Sequence, residues 1–508
     1  MLNLSAFVGF HARRTPEQTA LIFGGQRVSY AALEAQTGRL AALLAARGIG
    51  AGDVVAAFMK NSAAFVELAI AASRIGAVFL PINFRLAADE VRYITGNAEA
   101  KLVVADEEFA PVMAGLPSVL LLDAAAQADP SCLASADAVP PPAARRTEDD
   151  LFRLMYTSGT TDRPKGVMHT YGNFYWKCME HVVTLGLSAE DRLLVVGPLY
   201  HVGAFDLPGM ALLWVGGTLC ILRDFDARAA VEAIAAERLT GAWMAPVMLS
   251  RTLEHGNPRG LDLSSLRWVI GGGEKTPEGR IRAFTNLFPN GRYVDAYGLT
   301  ETCSGDTMME AGWEIAKIGS TGRATPHVEI TIRDDAGAVL PRGREGEICL
   351  RGPKVFKGYW KDPAKTAASF HEGGWFRSGD VGYLDADGFL FLTDRKKDMI
   401  ISGGENIASS EVERVLYDLP EINEAVVVGV PDPQWGERPV AVVVLREGAT
   451  LDLAALQAHC RGRLAGFKVP KGLVLREALP RNPSGKVLKR VLREELGAAA
   501  VGAGGGQP

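Results

Sequence analysis

The sequence predicts an α/β protein built as a large N-terminal multi-subdomain α/β domain followed by a small C-terminal α+β domain. Short β-branched runs alternate with amphipathic stretches along most of the chain, the pattern of helices layered on sheets. A length of 508 residues, 48% of them hydrophobic, can fill more than one core. The charge-dense stretch Asp394-Arg395-Lys396-Lys397-Asp398 precedes a second, smaller pattern of strands and helices, and it makes a natural exposed joint. The expected division is 1–396, 397–497 and a tail, 498–508.

Taken in order, 54–59, 118–122, 192–196 and 218–222 read as buried strands. Residues 267–270 form another, which runs into Gly271-Gly272-Gly273. A helix follows, with Thr276 as N-cap and Pro277 at its first position. Ile281, Phe284, Thr285 and Phe288 share one of its faces. Strand, glycine turn and helix is a place where a ligand can meet backbone. Residues 124–147, rich in Ala and Pro, read as a surface connection. In the small domain, Ser410 with Glu413 predicts a capping box opening a helix whose apolar face is Val412, Val415, Leu416 and Leu419. Strands at 425–430 and 440–445 follow, then a helix at 453–464. From Gly497 onward the chain is nearly all Gly and Ala and is expected to be disordered.

Several functions are excluded by composition. A net charge of −5, spread over both signs, offers no basic surface for nucleic acid. The apolar stretch between Asp206 and Arg223 contains Pro208 and glycines and is shorter than the ~20 residues a membrane-spanning helix needs. It reads as core, and Asp206 is left without an explanation. Arg13 and Arg14 follow the N-terminal apolar residues instead of preceding them, so no secretory signal is expected. Six scattered cysteines form no CxxC pair and the histidines show no HExxH spacing, which fits a reducing cytoplasm without structural zinc.

The strongest chemical signal is Tyr156-Thr157-Ser158-Gly159-Thr160-Thr161-Asp162-Arg163-Pro164-Lys165-Gly166-Val167. A strand end opens into a loop of hydroxyls, glycines and a lysine, which offers N–H groups and a cation to a polyphosphate. It is not a Walker A loop, because neither the spacing to the lysine nor the residue after it fits. Alone it reads equally as an ordinary polar turn.

This segment resembles the signature loop of the adenylate-forming superfamily, which includes acyl-CoA synthetases, firefly luciferase and nonribosomal peptide adenylation domains. Further stations resembling that family's motifs follow in order over nearly the whole chain. Residues 293–302 (YVDAYGLTET) are similar to its adenine and magnesium motif, and Arg377-Ser378-Gly379-Asp380 to its ribose motif. Residues 394–398 are similar to its hinge, 402–407 (SGGENI) to its pantetheine segment, and 480–486 (PRNPSGK) to the segment with its catalytic lysine. The chain departs from the family at Asp162, where Gly is usual. A carboxylate there would repel pyrophosphate, so it is expected to face solvent.

The resemblance implies ATP, Mg²⁺ and coenzyme A as cosubstrates and cofactors, and a C-terminal domain made mobile by rotation at Lys397. Thr157, Ser158, Gly159, Thr160, Thr161 and Lys165 would bind phosphate. Tyr297 would lie on adenine, beside Gly298, while Asp295 with Gly271, Gly272 and Gly273 would line the purine and acyl boundary. Asp380, assisted by Arg395, would accept from the ribose hydroxyls. Thr300 would bind phosphate, Glu301 would hold Mg²⁺, and Gly403 and Gly404 would flank the pantetheine path. Lys486 would be the catalytic lysine, and acylation of its amine would block the first half-reaction. His201, Val202, Phe205, Met244 and Pro246 would wall the acyl pocket.

The chemistry such an enzyme needs can be argued directly. A carboxylate attacks an anionic α-phosphate, so Lys486, Lys165 and Mg²⁺ must suppress repulsion, and no protein nucleophile is required. The acid is expected to be a medium- or long-chain fatty acid, with an aryl or cinnamate-type acid as the alternative. An acyl-AMP ligase loading a separate carrier protein, and a catalytically silent acyl or nucleotide sensor, are the rival functions. The sequence carries no signal of oligomeric state, and a homodimer enters only as the commonest assembly of soluble proteins.

Overall fold

A computed structural model describes residues 2–123, 138–157, 164–272, 278–395, 398–402, 405–432, 434–461, 463–481 and 487–503. Its contacts divide the chain into two compact units, Met1–Ile330 with Leu350–Phe376, and Thr331–Cys349 with Arg377–Pro508. The expected division at 396/397, with rotation there, is taken up below as a proposal.

The large unit contains two sheets. The nine-stranded sheet is parallel through its centre, where Thr19–Phe23, Thr218–Ile221, Arg192–Val195, Gly241–Trp243, Trp268–Gly272 and Arg292–Tyr297 lie side by side. The seven-stranded sheet sets Leu151–Thr157 between Val78–Pro81 and Lys165–Thr170. Helix Ala63–Arg74 is buried on all sides and packs against strands of both sheets. That burial explains its run of Ala, Val, Leu and Ile without a polar stripe. The strands expected at 54–59, 118–122, 192–196, 218–222 and 267–270 are found as Val54–Phe58, Val119–Leu122, Arg192–Val195, Thr218–Ile221 and Trp268–Gly272. After the glycines comes helix Glu278–Leu287, whose expected cap, Thr276 with Pro277, lies outside the described residues. Ile281, Phe284 and Phe288 are buried beside it, whereas Thr285 is exposed, bonding back to the Arg282 carbonyl.

In the small unit, strands Ile422–Asp432 and Gly436–Leu445 form a long antiparallel ribbon, flanked by Ile400–Ser402 and, in parallel, by Gly472–Leu475. Helix Ser409–Leu416 buries Val412, Val415 and Leu416 against it, with Leu419 packed at the edge. The expected capping box is not formed. The Ser410 hydroxyl donates to the Thr393 carbonyl, and Glu413 instead accepts from the Val427 amide at 2.8 Å and pairs with Lys489 at 2.9 Å. Tertiary partners outcompete the local motif. The disorder expected from Gly497 is also overturned as far as Ala503, where helix Lys489–Ala503 ends. The alanines that look like low complexity are strong helix formers. The final residues, 504–508, lie outside the described residues, as does most of the 124–147 connection.

Two clusters of charge are buried in the large unit. Arg153 makes a two-pronged pair with Asp206, which Lys177 also approaches at 3.3 Å. Nearby, Lys354 lies 3.1 Å from Glu180 and 3.2 Å from Asp306. All six residues are at most 1% exposed. Burial opposes the charge on Lys354, but Asp306 and Glu180 more than offset this and raise its pKa above the usual lysine value. Removing the cation would strand two carboxylates in the interior. Lys354→Met is therefore expected to destabilise the large unit by about 3–5 kcal/mol, read from the midpoint of urea unfolding. Arg228→Ala, which breaks a wholly exposed pair with Glu232, should leave that midpoint where it is.

Candidate active site

The hairpin of Leu151–Thr157 and Lys165–Thr170 sets Thr157 directly opposite Lys165 at its open end. Residues 158–163, with Ser158, Gly159, Thr160, Thr161 and Asp162, lie outside the described residues. Lys165 is half-buried, with its amine 5.0 Å from the centre of the Tyr359 ring. The Tyr359 hydroxyl donates to Glu301 at 3.0 Å. Burial and the neighbouring ammonium of Lys365 lower the Lys165 pKa to about 8, although Glu301 and Asp362 pull the other way. Lysine, tyrosine and glutamate thus converge at one edge of the hairpin. Neither Tyr359 nor Lys365 carried a signal in the sequence.

Glu301 sits in a single helical turn, Thr300–Thr302, that follows strand Arg292–Tyr297. The turn is held from several directions. The Phe356 amide donates to the Glu301 carbonyl at 2.7 Å. The Thr302 hydroxyl donates to Asp306, and His169 Nε2 lies 2.6 Å from the Thr300 carbonyl. Beyond it, Cys303, Ser304 and Gly305 have φ of 55°, 68° and 70°, and Lys354 donates to the carbonyls of Ser304 at 3.2 Å and Gly305 at 2.7 Å. Burial pushes the Cys303 thiol up to about 12, so it is no nucleophile.

On the neighbouring strands Gly271 stands opposite Asp295 and Gly272 opposite Ala296. Asp295 and Tyr297 are buried, and Gly298 is half-buried. A Cβ on Gly271 would lie 1.8 Å from the Tyr293 hydroxyl, and one on Gly272 2.4 Å from the Ala296 carbonyl. These glycines admit neighbouring protein atoms, and their small size is accounted for by packing. Gly273 lies outside the described residues.

The residues expected to wall an acyl pocket separate into two groups. Phe205 packs among the rings of Phe65, Phe79 and Phe174, and Met244 is fully buried beside Thr252, so both are core. Val202 is buried as well, while Pro246 is half-buried at the start of helix Pro246–His255. His201 caps the next turn, with Nδ1 accepting from the Gly203 amide at 3.0 Å, and burial lowers its pKa. Its ring is 5.9 Å from that of Trp243, which lies where a Cβ on Gly203 would be, 2.4 Å away. Trp243, at the end of strand Gly241–Trp243, was not singled out from the sequence.

In the small unit, Asp380 is 7% exposed and stands opposite Arg395 on the antiparallel pair Trp375–Leu384 and Leu390–Arg395. Its amide donates to the Ser378 hydroxyl at 3.0 Å, and Ser378 donates to the Ile348 carbonyl at 2.7 Å. Ser402 pairs with Glu405 across Gly403 and Gly404, and Arg481 bridges to Val487 on either side of Lys486. Gly403, Gly404, Lys397 and Lys486 themselves lie outside the described residues.

The description "AMP-binding enzyme" matches residues 10–360, and that family's C-terminal domain matches 411–486. The chain belongs to the AMP-binding enzyme family. A feruloyl-CoA synthase from an Amycolatopsis species is 39% identical, with 96% of this chain and 97% of that protein covered. The long-chain-fatty-acid–CoA ligase FadD13 of Mycobacterium tuberculosis is 38% identical over 93% and 94% of the two chains. Among solved structures, o-succinylbenzoate coenzyme A synthetase of Bacillus subtilis, in complex with ATP and magnesium, superposes with a TM-score of 0.87. It is 32% identical and covers 96% and 98% of the two chains. With these relatives named as CoA ligases, the chain is an AMP-forming acid–thiol ligase of the adenylate-forming superfamily, and ligases of this kind use ATP, Mg²⁺ and coenzyme A. Among the described residues, no helix is long and apolar enough to cross a membrane, and no group of three His, Cys, Asp or Glu side chains could hold a metal ion by itself.

The lowered pKa of Lys165 has a definite sign. Its amine is charged below about pH 8 and loses that charge above it. For this AMP-binding enzyme kcat/KM for Mg·ATP, which reports the free enzyme, is expected to fall on the alkaline side with a midpoint near that pH. Lys365→Ala removes a neighbouring positive charge and should move the midpoint upward. A profile that stays flat well above pH 8 would detach Lys165 from the nucleotide.

Proposed function

We propose that this enzyme activates an aromatic carboxylic acid, of the aryl or arylpropenoic class, through an acyl-adenylate and transfers the acyl group to coenzyme A. The observation that carries the acid class is Trp243, packed over Gly203 beside His201. Such a pair offers a flat apolar wall suited to a ring. The aryl substrate named for the Amycolatopsis relative supports the same order. A medium- or long-chain fatty acid is the second reading, favoured by the similarity to FadD13.

In this reading Thr157 and Lys165 meet the phosphates with Ser158, Gly159, Thr160 and Thr161, and Thr300 joins them. Tyr297, Gly298, Asp295, Gly272 and Gly273 surround the adenine. Asp380 and Arg395 take the ribose. Glu301 supplies the protein carboxylate to Mg²⁺, which ordinarily keeps waters and substrate phosphates as its other ligands, so one half-buried carboxylate fits. Lys486 stabilises charge as the carboxylate attacks. Rotation at Lys397 then withdraws it and brings Gly403 and Gly404 to the pantetheine. Coenzyme A is the acceptor favoured by the named relatives, in preference to a carrier protein. The buried thiols of Cys178, Cys220, Cys303 and Cys460 support a cytoplasmic setting.

Pyrophosphate release across acetate, octanoate, palmitate, benzoate and ferulate tests the acid class. Ferulate or benzoate is expected to lead, and a lead by palmitate would establish the second reading. Trp243→Ala should move the ratio of kcat/KM values toward bulkier acids. Lys486→Ala is expected to lose adenylation by roughly 10²–10³ while still thioesterifying supplied acyl-AMP. Equal loss in the two half-reactions would remove Lys486 from its assigned step.

A further inference from the structure

Asp206 and its partners end at the turn that bears Glu301. Arg153 Nε donates to His169 Nδ1 at 2.8 Å. A guanidinium can only donate, so Nδ1 is the acceptor, and the ring proton is carried by Nε2. Nε2–H therefore donates to the Thr300 carbonyl at 2.6 Å, an oxygen that also accepts from the Cys303 amide at 3.1 Å. Burial, and Arg153 beside it, hold the His169 pKa down to about 3, so the ring keeps this tautomer throughout the working pH range. Arg153 is in turn fixed by Asp206, whose own carbonyl accepts from Lys177 at 3.2 Å and lies 3.0 Å from His181 Nδ1. The relay runs from the segment after His201 to the peptide joining Thr300 and Glu301. A peptide group is planar and trans, so holding its oxygen also sets the direction of the Glu301 amide and the start of its side chain.

We propose that His169, oriented by Arg153 and Asp206, is a positioning residue for adenylation that fixes the Thr300–Glu301 peptide and so aims the Glu301 carboxylate at the magnesium–pyrophosphate side of the nucleotide. The inference rests on the reading of Glu301 as the magnesium-side carboxylate. His169 touches no reacting atom. Its effect is transmitted through one backbone oxygen, as with outer partners that orient a metal ligand.

Two nearly isosteric variants separate this role from a packing role. The amide nitrogen of His169→Gln can reach the Nε2 position and donate to Thr300, whereas the shorter amide of His169→Asn can satisfy Arg153 but falls short of that carbonyl. His169→Asn is expected to raise the Mg²⁺ concentration for half-maximal adenylation roughly tenfold. It should leave thioesterification of supplied acyl-AMP intact, and His169→Gln should recover most of the loss. Equal behaviour of the two variants, equal loss of folded protein included, would overturn the proposal. So would a matching fall in both half-reactions. Glu301→Gln is the separate arm. If it leaves the Mg²⁺ requirement unchanged, the reading of Glu301 fails. If it raises that requirement and His169→Asn does not, the relay alone fails.

Discussion

Three buried cations, Arg153, Lys177 and Lys354, and three buried anions, Asp206, Glu180 and Asp306, fix the geometry on which the turn bearing Glu301 depends. Desolvating so many charges is costly, and hydrophobic residues of similar volume would serve stability as well or better. What the charges supply is direction. Each ion is committed to partners at hydrogen-bond distance, so the arrangement tolerates few alternatives. The segment 300–306 takes its shape from them. Cys303, Ser304 and Gly305 lie in succession at positive φ, a run that local preference does not favour for the first two. Lys354 holds two of its carbonyls, His169 holds the Thr300 carbonyl, and Asp306 accepts from Thr302. The conformation belongs to the tertiary structure and is imposed on the turn from beneath.

The same point explains what could be read in the sequence. The strand before Gly271 was legible because its pattern of residue types lies close together in the chain. Asp206 was conspicuous but unexplained, since its partners Arg153 and Lys177 are 53 and 29 positions away. Tyr359 and Lys365 were invisible for that reason too. Gly271 was singled out for its place beside a ligand, and the fold adds a packing reason for it, because it makes room for the Tyr293 hydroxyl. Ser410 and Glu413 had the spacing of a cap, yet better partners exist in the fold at Thr393, Val427 and Lys489. Local pattern identifies a chemical group and leaves open which partner wins it.

The charged stretch 394–398 shows how far composition alone can carry. Its density suggested a solvated joint. In the small unit both of its carboxylates are engaged, Asp394 accepting from the Ser409 amide at 2.7 Å and Asp398 from Arg493 at 2.9 Å. Lys489, pushed up by Glu413 and Asp394 against the effect of burial, adds a further tie at the same place. Both carboxylates of this charged stretch are therefore tied within the small unit, so charge density in the sequence does not by itself mean solvation.

Anchoring of this kind bears on the chemistry itself. Adenylation brings two anions together, so its barrier is lowered by placing positive charge and keeping it in place. Burial holds His169 and His181 neutral and the Cys303 thiol protonated, so these groups around the Glu301 turn cannot change charge as protons move during turnover. Lys165 stands apart from them, half-buried at the open end of its hairpin with a pKa brought near the working range. A lysine crowded by a second ammonium gains more from an incoming polyphosphate than an isolated one would, because the anion relieves a repulsion already present. The interior thus contributes a rigid, fixed field, and on the proposed role of Lys165 the hairpin adds a cation that becomes fully charged when the nucleotide arrives.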